Sequence, residues 1–239
     1  ISSYFNYLFT MVIIGEIIRV CNTRRFGVLK TPKAVFNKLL SCKGVQLKNP
    51  IGEKVLELLD GTTFQGSIRE NFALMNHYVV FDTQRAIYDL IELGHIGSAK
   101  ALLRVIFEAN VKAKWIYQCA SEKQLEQLQK DAVKSTVNKK RNIQFGEMVD
   151  DVEKMHPNLK GKLKQFKEEH WKGLNSLTHT GVMQLKRYSL AFEQSGLETE
   201  IETILDFSNR ISISSLGDVG KISNNKRIKV LTLSLKINK

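Results

Sequence analysis

GSAKALLRVIFEANVKAKWIYQCA, residues Gly97 to Ala120, decides the fold. At ~100° per residue, Ala99, Leu102, Ile106, Ala109, Ala113 and Ile116 gather on one side of a helix, the expected core stripe. The opposite side carries Gly97, Ala101, Arg104, Glu108, Val111 and Trp115, a mixture that a plain solvated face does not show. Small residues at Gly94, Gly97 and Ala101 admit a second helix closely, and Val111 with Trp115 is poorly placed in water. The helix is therefore expected to be covered on both sides, at the centre of an all-α fold. Arg104 and Glu108, one turn apart, then sit partly buried, where an unpaired charge is costly. They form either an ion pair that fixes packing or the polar floor of a site, with Arg104 donating to an anion and Glu108 orienting it or a neighbouring base.

Helix signals continue on both sides of this stretch. Thr31 with Pro32 reads as N-cap and first helical residue before KAVFNKLLS, and Asn49 with Pro50 repeats the device before IGEKVLELLD, which Gly61 stops. Ser67 to Glu70 is a capping box that opens a helix to about residue 91, and Ser121 to Gln124 is another that opens QLEQLQKDAVK. Further helices are expected over about 97–119, 143–155, 159–177 and 198–216. The tail KVLTLSLKINK alternates Leu231, Leu233, Leu235 and Ile237 with polar residues, a strand period. No second strand is evident, so the tail continues a helix, frays or pairs with another chain, and is unassigned.

The 239 residues, 43% hydrophobic with only three Pro, suffice for a real core and exclude a fibrous or low-complexity chain. Thirty-six Lys and Arg against 24 Asp and Glu give a formal charge of +12, which favours a polyanionic partner. No acid lies between Glu16 and Glu53, where Arg19, Arg24, Arg25, Lys30, Lys33, Lys38, Lys43 and Lys48 fall. This is the best electrostatic footprint for RNA, with a basic solvated surface as the alternative. Cys21, Cys42 and Cys119 make neither a disulfide framework nor a metal knuckle, which suits a cytoplasmic location. The five histidines have no zinc-like spacing, so no metal and no cofactor is expected. The run YFNYLFTMVIIGEIIRV, Tyr4 to Val20, contains Asn6 and Glu16 and falls short of the ~20 apolar residues of a membrane span. No membrane partner is expected.

LNSLTHTGVMQLKRY, Leu174 to Tyr188, raises the question of chemistry. On a continuous helix Leu174, Leu177, Gly181, Leu185 and Tyr188 share one side, while Lys172, Asn175, His179, Val182, Met183 and Lys186 share the other. Lys172, Asn175, His179 and Lys186 then form a line of donors suited to a phosphate, with Arg187 beside it; Thr180 and Gly181 equally mark a kink. A histidine titrating near pH ~6.5 can take the proton of a ribose 2′-OH or give one to a leaving oxygen. A hydrogen-bonded structural histidine is the competing reading.

Taken together, GHIGSAKALLRVIFEANVKAKWIYQCA and WKGLNSLTHTGVMQL resemble an uncharacterised group of bacterial helical proteins related to the HEPN superfamily, over about residues 67–192. The matching residues are Arg104 and Glu108 on the central helix, then Trp171, His179 and Gly181. The resemblance implies a HEPN-like helical bundle over 67–216, with a basic N-terminal helical region over 1–66 and a basic tail over 217–239. It further implies a metal-independent endoribonuclease of the kind found in toxin and anti-phage systems, assembled as a homodimer and met by a cognate antitoxin or sensor. His179 would be general acid or base, Arg104 and Lys172 would hold phosphate, and Glu108 and Asn175 would position. Arg24, Arg25, Lys30, Lys33, Lys186 and Arg187 would add RNA contacts. The chain departs from the superfamily pattern of an Arg, a polar residue and a downstream His, because Lys172 followed by Gly173 stands where Arg and a polar residue are usual. Lysine lacks the planar fork of arginine. The alternative is a non-catalytic helical module that binds RNA, nucleotide or a partner protein.

Overall fold

The computed structural model describes residues 49–59, 66–134, 143–179, 181 and 194–237. The helix expected after Thr31 and Pro32, the basic Arg19 to Lys48 segment, the apolar Tyr4 to Val20 run and the stop at Gly61 lie outside the described residues, as do Lys186 and Arg187. Eight α-helices and no strand occur among the described residues: α1 Pro50–Leu59, α2 Ile68–Glu92, α3 Ile96–Gln118, α4 Glu122–Lys134, α5 Phe145–Met155, α6 Lys162–Thr178, α7 Gln194–Ile222 and α8 Lys226–Ile237. A short 3₁₀ turn, Pro157–Leu159, joins α5 to α6. The described residues form an all-α bundle.

The helix starts follow from capping chemistry. Asn49 Oδ1 accepts from Gly52 N–H at 2.8 Å. Ser67 and Glu70 complete a reciprocal capping box at α2, and Ser121 N–H donates to Gln124 Oε1 at 2.7 Å ahead of α4. Gly94 ends α2 rather than admitting a neighbouring helix. It sits at φ 80°, its N–H donates to Ile91 O and the next amide donates to Leu90 O, a Schellman closure that turns the chain back into α3.

α3 is the axis of the molecule, packed against α2, α5, α6 and α7. Its predicted stripe is buried at Ala99, Ile106, Ala109, Ala113 and Ile116, with Leu102 half-buried. The opposite face is covered as well: Gly97, Val111 and Trp115 are buried and Arg104 and Glu108 half-buried, leaving only Ser98 and Val105 exposed along the helix. Two cores meet on α3, and Ile116 of the predicted stripe joins the second with Val111 and Trp115. One gathers Ile87, Ile106, Ile204, Leu216 and Ile228; the other gathers Phe107, Val111, Trp115, Val149 and Val152 around stacked aromatic rings. Each such buried side chain contributes about 1.5–3 kcal/mol.

The tail is helical despite its alternating pattern. Ile228 and Thr232 are buried and Leu231 and Leu235 partly so, at positions i, i+4, i+3 and i+7, while Val230 and Leu233 are exposed. What selects the helix is a complementary surface on α7: a side-chain carbon at Gly217 would lie 3.3 Å from Thr232, and one at Gly220 3.1 Å from Ile228. α8 therefore lies close along α7, which itself runs through Leu216 to Ile222.

Candidate functional site

Three elements bring Arg104, Glu108, Trp171 and His179 together. α3 carries the ion pair. α6 carries Trp171 and ends at Thr178, with His179 as its C-cap. Glu153 of α5 fixes where α6 begins: its carboxylate accepts from the backbone N–H groups of Gly161, Leu163 and Lys164 at 3.0, 2.6 and 2.9 Å. An anion on otherwise unpaired amides at the positive end of the helix dipole is a strong tether. Gly161, at φ 77°, supplies the left-handed residue this entry requires.

Arg104 is held on three sides. Its Nε donates to Glu108 Oε1 at 2.9 Å, its Nη1 lies 3.0 Å from His179 Nε2, and its guanidinium carbon sits 4.9 Å from the Trp171 ring centroid. Trp171 in turn stacks on Phe145, centroids 4.8 Å apart and planes 12° from parallel. The ion pair alone is worth about 0.5 kcal/mol, and the cation–π contact about 0.5–2 kcal/mol. An arginine N–H cannot accept, so His179 Nε2 is the acceptor in this contact and carries its lone pair toward the guanidinium. Since His179 is exposed and Arg104 half-buried, the pair forms a polar edge that solutes can reach over an aromatic floor.

The other candidate residues are distributed differently. Asn175 lies midway between Trp171 and His179 on α6, one turn from each, so it shares the face turned to Arg104. Its Oδ1 is buried and has no hydrogen-bond partner among the described residues. Lys172 is exposed. α6 stops at Thr178, so of the two readings of this stretch the break near Thr180 and Gly181 holds rather than a helix continuous through Gly181, and Lys186 lies outside the described residues. Thr178 Oγ1 turns back to Leu174 O at 2.8 Å, and Gly181 N–H closes on Ser176 O at 2.6 Å. Arg24, Arg25, Lys30, Lys33, Lys186 and Arg187 lie outside the described residues. Among the described residues no three His, Cys, Asp or Glu side chains converge as a metal site, and no helix is long and apolar enough to cross a membrane.

Sequence reasoning missed a second polar constellation, inside the bundle. Lys114 of α3 and Asp218 of α7 form a buried ion pair, and Lys221 approaches the other Asp218 oxygen at 3.4 Å. Asn110, one turn before Lys114, donates to Ser215 Oγ at 2.7 Å. His77 of α2 is 1% exposed, and neither ring nitrogen has a hydrogen-bond partner among the described residues. Burial pushes its pKa down to about 4, with the Asp218 charge opposing and the Lys114 charge assisting. Burial raises the Asp218 pKa, but Lys114, His77 and Lys221 outweigh it and hold the carboxyl below its usual range. His156, whose Nε2 lies 2.5 Å from Gln118 Oε1, is lowered by burial and by Lys114. The available signal was the spacing Asn110, Lys114, Gln118 along α3: polar residues at i, i+4 and i+8 in a helix already expected to be covered all round.

Residues 77–235 match a family model described as a family of unknown function (DUF6988). No curated protein matches the chain. No solved structure matches it either.

Proposed function

The chain belongs to the DUF6988 family, and we propose for it a metal-independent endoribonuclease activity centred on Arg104 and His179. One observation carries the reading: side chains 75 positions apart meet at 3.0 Å, a basic imidazole nitrogen against a phosphate-binding guanidinium. A phosphate oxygen that accepts from Arg104 brings the adjoining ribose to His179. Arg104 Nη1 turns from Nε2 to the phosphate as the substrate enters, which frees the Nε2 lone pair to take the 2′-OH proton; the 2′-oxygen attacks phosphorus, and the 5′-oxygen leaves with a proton from water or from His179 of a second copy. The products are a 2′,3′-cyclic phosphate and a 5′-hydroxyl. Arg104 offsets the charge that builds on the phosphoryl oxygens, Glu108 holds its fork in orientation, and Asn175 positions. The net charge of +12 supports a polyanionic substrate. In this reading the chain is a HEPN-like homodimeric effector of the toxin or anti-phage kind, acting in the cytoplasm under an antitoxin or sensor; that setting rests on fold-level analogy.

A second reading, a non-catalytic module that binds RNA, nucleotide or a partner protein, is favoured by one feature of the same site. Arg104 already commits Nε to Glu108 and Nη1 to His179. The two readings separate on total RNA incubated with the protein in EDTA, beside His179→Ala and Arg104→Ala variants whose folding is verified by melting. The enzyme yields cyclic-phosphate ends that both folded variants abolish, with much of the binding retained in His179→Ala. Intact RNA in every lane, with binding that falls steeply as salt rises, supports the module.

A further inference from the structure

We propose that Gly181, two residues beyond the C-cap, is the positioning residue that sets His179 against Arg104; its catalytic meaning rests on the reading above. The side chains of Thr178 and His179 do not by themselves exclude another turn of α6. What ends it is a closure across five residues. Gly181 N–H donates to Ser176 O at 2.6 Å while His179 N–H still donates to Asn175 O at 2.9 Å. The chain therefore folds back over the last turn, and His179 leaves the helix at φ −106°, ψ 30° instead of continuing its path.

That closure has room only for glycine. A Cβ at position 181 would stand 2.4 Å from Ser176 Oγ, 2.9 Å from Ser176 Cα and 3.0 Å from Ser176 O. The hydroxyl can rotate away; the other two atoms are backbone of α6 itself. Alanine therefore cannot enter without lengthening the Gly181 to Ser176 bond, and the residues between, His179 among them, shift outward. By contrast a Cβ at Gly173, on the same helix, meets nothing within 4 Å. The two glycines thus separate a geometric requirement from a general effect of adding a methyl group to α6.

The test compares Gly181→Ala with Gly173→Ala and wild type, by ¹⁵N NMR of the His179 imidazole and by RNA cleavage. In wild type and Gly173→Ala, Nε2 should report a single hydrogen-bond-accepting state. In Gly181→Ala that signature should be lost to averaging between tautomers. Cleavage should fall by about 100-fold, as for a displaced catalytic group, with KM little changed. A Gly181→Ala protein that retains the wild-type imidazole signature overturns the proposal, whatever its activity. If wild type cleaves no RNA while the variant still loses the signature, the positioning role stands and the ribonuclease reading falls. Should Gly181→Ala fail to fold, amide exchange in wild type decides: a protected Gly181 N–H supports the closure, and one exchanging at the rate of an open loop overturns it.

Discussion

His77→Leu should flatten the acid side of the stability profile. His77 is buried uncharged, with a pKa of about 4 in the folded chain against 6.5 for the free side chain. A group whose folded pKa is depressed in this way binds its proton first in the unfolded state. As pH falls through 6.5 the unfolded chain gains a proton that the folded chain refuses, and stability declines until about pH 4, below which both states carry it. The interval of roughly 2.5 units at 1.36 kcal/mol per unit gives a loss of about 3 kcal/mol between pH ~7.5 and ~4. The groups facing His77 modify this little across that window. Lys114 is paired with Asp218, and the Asp218 contribution, present above its unfolded pKa, is lost only as pH falls through its lowered folded value. His156 shifts in the same direction as His77 and is common to both proteins. Leucine is close to histidine in volume and needs no partner for ring nitrogens that have none here among the described residues. Urea unfolding at pH 7.5, 6.0, 5.0 and 4.5 should show the wild type losing about 1 kcal/mol per pH unit below pH 6 relative to the variant. Parallel profiles would mean that His77 takes up its proton equally in both states, and the assignment of a buried neutral imidazole would be wrong.

Two further outcomes concern the bundle. Lys114→Met should cost about 3–5 kcal/mol, because Asp218 is left buried with only the more distant Lys221, and adding Asp218→Leu should recover most of it; denaturant titration of the single and double variants checks this. Gly94→Ala, at φ 80°, should lower stability by about 1 kcal/mol through backbone strain in the turn between α2 and α3, whereas Gly173→Ala should raise it by about 0.5–1 kcal/mol through helix propensity. Equal shifts in melting temperature for the two glycine variants would contradict the assigned backbone geometry.

Local chemistry is what the sequence states most clearly. The cap at Asn49, the boxes at Ser67 and Ser121 and the two-sided burial of α3 are legible because each depends on residues within a turn or two of one another. The pairing of Arg104 with Glu108 is legible for the same reason. The meeting of Arg104 with His179 was anticipated only through a resemblance, since 75 residues separate them and no local rule connects them.

The tail and the interior pair mark the boundary between the two kinds of information. KVLTLSLKINK alternates like a strand, yet a strand needs a partner for its backbone, while a helix satisfies its own and needs only a surface for one face. Gly217 and Gly220 of α7 provide that surface, so neighbours rather than period selected α8. Lys114 and Asp218 lie 104 positions apart on different helices, and only the packing of α7 on α3 makes them one buried charge pair. The sequence by itself determined where helices begin and which faces avoid water, because those follow from short-range sterics and hydrogen bonding. Tertiary structure decided which polar residues share an environment, because burial and Coulomb attraction depend on distances that only packing sets.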